Sequence, residues 1–216
     1  MNAQPGRLPF SSPDRPLEYW LSPDLARLSP PEARSRLREL ADTQGTLTAA
    51  WGAGIGAGAV FILTGVFITA MGGGVGLLAA LGILGAALLA LGILGCRRVQ
   101  SRLPNTRRTL ITRGPGSARG GIGMLVFFAV ALGAPIAFSA PQSAARGDST
   151  LPALIGAYIL IMLFLVACIL VPSTIMGRAR EVFRRKAMAD PDFRALLEQD
   201  LATWRDPVGD ASYGPL

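Results

Sequence analysis

The chain has 216 residues, half of them hydrophobic, a formal charge of +7 and no histidine. So high a hydrophobic share, with so few charged residues, falls outside the soluble globular class and makes lipid the solvent for much of the chain. The missing imidazole excludes bis-histidine haem, histidine metal sites, histidine phosphorelays and Ser-His or Cys-His catalytic pairs.

The positive charge does not read as a nucleic-acid surface, because the arginines stand directly beside long apolar runs. Of the 21 basic residues only Lys186 is a lysine. With abundant Ala and Gly, that bias is what a GC-rich bacterial coding sequence gives. The two cysteines, Cys96 at a span border and Cys168 inside a span, read as small hydrophobic side chains too different in depth to pair.

Residues 1–47 are expected to be a cytoplasmic segment, rich in proline at its start and without a signal-peptide pattern. Ser22-Pro23-Asp24 opens a short helix through Leu28. Ser29-Pro30-Pro31-Glu32 reads as a capping box with proline at the first helical position. It predicts an amphipathic helix over about 30–44, ending near Gly45, with Ala33, Leu37, Leu40 and Ala41 opposite Arg34, Arg38 and Asp42. Tyr19 and Trp20 just before it read as interfacial anchors.

Ala49 to Gly95 is uncharged over 47 residues. As one helix it would reach roughly 70 Å, against a hydrocarbon core of about 30 Å, so it must cross twice. Met71-Gly72-Gly73-Gly74 is the place to turn, which puts spans at about 49–71 and 75–95. Gly52 with Gly56, Gly54 with Gly58, the stripe Gly82, Ala86 and Ala90, and the heptad pair Gly85 and Gly92 are the small residues expected to pack these helices closely. Intramolecular packing is the first reading of these stripes and homo-oligomerisation the second.

The loop 96–120 carries Arg97, Arg98, Arg102, Arg107, Arg108, Arg113 and Arg119 and no acidic residue. By the positive-inside rule it is cytoplasmic, with anionic lipid headgroups as natural partners. Its glycines lack the order and the lysine of a phosphate-binding loop. A third span follows at about 121–140, with a kink expected at Pro135, and a fourth at about 151–176, with a bend expected before Pro172. Arg178, Arg180, Arg184, Arg185 and Lys186 form a second positive cluster that agrees with the first.

Residues 177–216 follow the last span. Asp190-Pro191-Asp192 starts a helix over about 191–204, with Phe193, Leu197, Leu201 and Trp204 on one face. That face is a candidate for docking a membrane or cytoplasmic protein, with packing on its own bundle as the plainer use. Residues 206–216 read as frayed.

Together these features predict an all-α fold: a four-helix transmembrane bundle over 48–176, built as two helical hairpins, with short amphipathic cytoplasmic helices at both ends. No span holds Asp, Glu, Lys or Arg, which disfavours ion-coupled transport. No catalytic, cofactor or metal site is legible. The expected protein is a non-enzymatic, multi-pass protein of the bacterial inner membrane with both termini inside, acting as an accessory or scaffold subunit. A small-solute transporter or pore is the alternative.

Overall fold

The computed structural model describes residues 15–30, 34–104, 117–146, 150–205 and 212–216. Among these the regular structure is helical, apart from an isolated parallel bridge between Ser35 and Ser212. Four helices are long and apolar enough to cross a membrane: Arg36–Ala70, Val75–Gln100, Ala118–Ser139 and Thr150–Gly177. The chain divides into two units. Among the described residues the first holds 15–30, 34–45, 99–104, 178–205 and 212–216, and the second holds 46–98, 117–146 and 150–177.

Helices α1 (Leu17–Leu21) and α2 (Pro23–Leu28) are short. Helix α3 (Arg36–Ala70) is continuous over 35 residues and merges what the sequence suggested were two elements. Its start lies later than the Ser29 capping box, of which Pro31 and Glu32 fall outside the described residues. Ser35 caps it instead, its Oγ accepting from the Arg38 N–H at 3.3 Å. Gly45 does not end the helix. A Cβ there would overlap that of Ala179, so glycine serves a close approach, and no proline follows to stop the helix.

The turn after α3 is a Schellman motif. Gly72 takes φ +91°, its N–H donates to Thr69 O at 3.0 Å, and the Gly73 N–H donates to Ile68 O at 2.9 Å. A Cβ on Gly73 would sit 2.6 Å from that same carbonyl, so consecutive glycines are required for two different reasons. Helix α4 (Val75–Gln100) then runs past the expected end at Gly95, with Arg97 and Arg98 in its last turn, where cations favour the helix dipole.

Helix α5 (Ala118–Arg146) passes through Pro135 and Pro141 unbroken, so the expected outer connection from Pro141 is helical to Arg146. Proline is tolerated within a membrane helix because neighbouring groups re-satisfy the freed carbonyls. Helix α6 (Thr150–Leu165) passes into a π turn, Val166–Leu170, closed by the Val171 N–H donating to Val166 O, and continues as α7 (Val171–Gly177). The wider turn lies directly before Pro172, whose ring would crowd the Cys168 carbonyl in a regular α-helix.

After the last span there are two helices where the sequence suggested one. Helix α8 (Ala179–Ala189) precedes α9 (Pro191–Thr203), and Asp190 caps α9 by accepting the Asp192 and Phe193 N–H groups at 3.1 Å. Residues 212–216 are not frayed: Tyr213 and Leu216 are buried. The Arg36 and Leu37 N–H groups donate to Ser212 O at 3.0 Å and Tyr213 O at 2.9 Å, so this segment satisfies orphan donors at the start of α3.

Candidate functional site

The first unit has a core of its own, drawn from segments far apart in the chain. Leu17, Trp20 and Leu21 of α1, Leu37, Leu40 and Ala41 of α3, Phe183 and Ala187 of α8, Phe193 and Leu197 of α9, and Tyr213 and Leu216 form one buried cluster, with Leu103 packed against it. Each fully buried Leu or Phe adds roughly 1.5–3 kcal/mol over an exposed one. Two sequence expectations are corrected here. Trp20 is 1% exposed and is a core residue, not an interfacial anchor. Phe193 and Leu197 are buried in the same core, with Leu201 and Trp204 packed against it, so the face proposed for partner docking is spent inside the unit. Many of their core partners lie more than a hundred residues away in sequence, and no local pattern announced them.

Charge pairs close the edges of this core. Arg36 holds Asp200 through two bonds, at 3.1 and 3.2 Å, with both side chains about four-fifths covered. Arg180 holds Asp42 at 2.7 and 3.0 Å in a more exposed position, and the hydrogen bond to Asp42 raises the arginine's pKa above its ordinary value. The Tyr213 hydroxyl donates to Leu197 O at 2.9 Å; burial first, and the Asp200 charge second, raise its pKa well above the usual phenol value. Lys186 sits 3.8 Å over the Phe193 ring and donates to the Gln100 carbonyl, and its burial lowers its pKa. The second basic cluster therefore has mixed roles. Arg180 and Lys186 are tied into the unit, whereas Arg178 and Arg185 are exposed and Arg184 is half-buried.

Of the loop arginines, Arg97, Arg98, Arg102 and Arg119 are exposed. Arg107, Arg108 and Arg113 lie outside the described residues.

In the second unit glycine permits close backbone approach at some of the positions the spacing suggested and not at others. A Cβ on Gly58 would sit 2.6 Å from Gly85 O, and one on Gly85 2.5 Å from Gly58 O, so α3 and α4 meet backbone to backbone there. Gly92 lies against Ile55 and the Trp51 carbonyl, and Gly95 beneath the Trp51 ring. Gly52 and Gly56 face a different partner, Ile175 of α7 and Ala167 of the π turn. Within the chain the stripe of Gly82, Ala86 and Ala90 is not a contact: Gly82 meets nothing within 4 Å, and both alanines are exposed. Gly54 likewise meets nothing within 4 Å. The α4 contact runs through Gly85, Gly92 and Gly95 instead.

Hydroxyls in the spans bond to helix carbonyls. Thr64 donates to Val60 O at 2.8 Å, Thr69 to Gly65 O at 2.9 Å, Ser173 to Leu170 O at 3.0 Å and Thr174 to Val171 O at 2.8 Å. Tyr158 reaches across to Ala129 O at 3.1 Å, over the bare backbone of Gly133. Such bonds take up these donors. Among the described residues no group of three or more His, Cys, Asp or Glu side chains is placed to hold a metal ion. Compared with family models, curated proteins and solved structures, the chain matches none.

Proposed function

We propose that the chain is a non-enzymatic, four-span protein of the bacterial inner membrane, built of two helical hairpins, whose two ends and basic loop fold together on the cytoplasmic face. It serves as an accessory or scaffold subunit. The observation that carries this is the shared core: Trp20, Leu37 and Leu40 from before the first span meet Leu103 from the middle loop and Phe183, Leu197 and Tyr213 from after the last. Segments sharing a core must lie on one side of a membrane, and an even number of crossings follows. The arginines of loop and tail assign that side to the cytoplasm. A partner would meet the outer surface of this folded unit, since the Phe193 and Leu197 face is occupied.

A scaffold fits better than a carrier because the apolar stretches 49–95, 121–140 and 151–176 lack a charged group and threonine and serine donors within them bond to carbonyls. Affinity purification of the full chain from native membranes, followed by native mass spectrometry, tests it. A stoichiometric companion protein is expected, lost when the outer surface of α2 is altered at Arg27 and Leu28; the full chain eluting without any companion overturns the scaffold role. A pore or small-solute transporter is the second reading, favoured by the π turn and the prolines in α5, which free backbone carbonyls. Solute flux in proteoliposomes holding this protein alone would establish it.

A further inference from the structure

We infer that the outer face of helix α8, formed by Val182, Arg185 and Met188 with Arg178 just before the helix, is a docking surface for an anionic bilayer surface. These residues recur at spacings of three and four, opposite the buried Ala179, Phe183 and Ala187. Val182 is 58% exposed and Met188 63% exposed, on a helix whose other large apolar residue, Phe183, faces inward. Between Arg178 and Ala189 five basic side chains stand against the single Glu181. The Arg185–Glu181 pair is exposed, and pairs of that kind hold their charges only weakly.

Chain continuity chooses the occupant. Gly177 ends the fourth apolar helix, and Arg178 follows it directly, so α8 starts within one residue of a span. Two apolar side chains flanked by arginines, at the point where a chain leaves hydrocarbon, suit the boundary of headgroups and acyl chains. Val182 and Met188 dip into it, while Arg178 and Arg185 reach lipid phosphates along their own aliphatic stems. A protein partner of complementary shape would have to bring acidic groups to this basic face; a leaflet rich in phosphatidylglycerol supplies that charge without one.

This inference rests on the four-span reading, and the experiment separates the two. The full chain, with Cys96 and Cys168 replaced by alanine, carries a single cysteine at Val182, Met188 or Ile83, labelled with an environment-sensitive fluorophore. It is reconstituted in phosphatidylcholine vesicles with or without phosphatidylglycerol. Val182 and Met188 are exposed, so cysteine there leaves the core intact. Labels at 182 and 188 are expected to be quenched by brominated acyl chains in the anionic vesicles. R178Q/R185Q should weaken that association by about 25-fold, since each basic residue near a charged surface contributes about a fivefold gain. Quenching of the Ile83 label by brominated lipid, with labels at 182 and 188 open to aqueous iodide, overturns the docking surface and leaves the spans in place. Labels at 182 and 188 shielded from both quenchers overturn it in favour of a protein neighbour. An Ile83 label indifferent to brominated lipid overturns the four-span reading itself.

Discussion

At Gly85 and Gly82 the same residue type, three positions apart on one helix, does opposite work. A methyl group on Gly85 would press on the Gly58 carbonyl, which is backbone and cannot turn aside, whereas one on Gly82 would enter open space. Gly85→Ala is therefore expected to destabilise the packed spans by about 1–3 kcal/mol, the usual cost of overpacking. Gly82→Ala should be neutral, or stabilising by up to about 1 kcal/mol through helix propensity. Thermal unfolding in detergent, followed by circular dichroism, distinguishes them, and equal losses for both would refute the backbone contact. A second pair of changes separates the ionic contacts. Asp200→Asn takes from the largely covered Arg36 its two-bond carboxylate, leaving the longer contact to Glu39 at 3.9 Å, and should cost about 1.5–3 kcal/mol. Asp42→Asn breaks the more open pair with Arg180 and should cost less than about 1 kcal/mol. Emission from Trp20 and Trp204, both in the first unit, reads the difference.

Among the elements, the start of α3 depends on a segment far away in the chain. The Arg36 and Leu37 N–H groups have their acceptors in Ser212 and Tyr213, and the Ser35 hydroxyl donates to Pro215 O at 2.6 Å. Deleting residues 212–216 removes these acceptors together with the buried Tyr213 and Leu216. Hydrogen exchange should then quicken at the Arg36 and Leu37 amides, while Val60 and the rest of the span remain protected. Unchanged exchange at Arg36 would show that the segment is an ornament. This dependence marks where sequence reading stops. The four apolar helices were legible because absence of charge over twenty or more residues is a local property, and the Gly72 turn was legible because three consecutive glycines stand in the middle of an apolar run too long for one crossing. Gly45 was misread as a terminator, since only the approach of Ala179, distant in sequence, shows it to be a packing residue. Helix α8 was not legible because the five basic residues from Arg178 to Lys186 are explained by topology alone, which leaves Ala179, Phe183 and Ala187 at helical spacing without a visible role until their distant partners are known. The stripe of Gly82, Ala86 and Ala90 has the spacing of a contact face, but spacing does not say which of several small-residue faces is used.

For the molecule as a whole, a shared core is a stronger constraint on topology than loop charge. Positive loops bias orientation by a preference, whereas Leu37, Leu103 and Phe183 can pack together only if the segments carrying them are on one side. Single cysteines at Arg27, Arg102 and Arg205 should therefore share one labelling pattern in sealed cells. All three are exposed, so their replacement leaves the core untouched. A membrane-impermeant maleimide should label none of them until the membrane is opened, while a cysteine at Met71, in the Gly72 turn, should react at once from outside. The background is again Cys96→Ala with Cys168→Ala. If Arg102 reacts from outside and Arg27 does not, the loop and the first segment are on opposite faces and the common core cannot exist. If all three react from outside, the core stands and the orientation taken from the arginines is reversed. The two sources of topology, packing and charge, are in this way separately refutable.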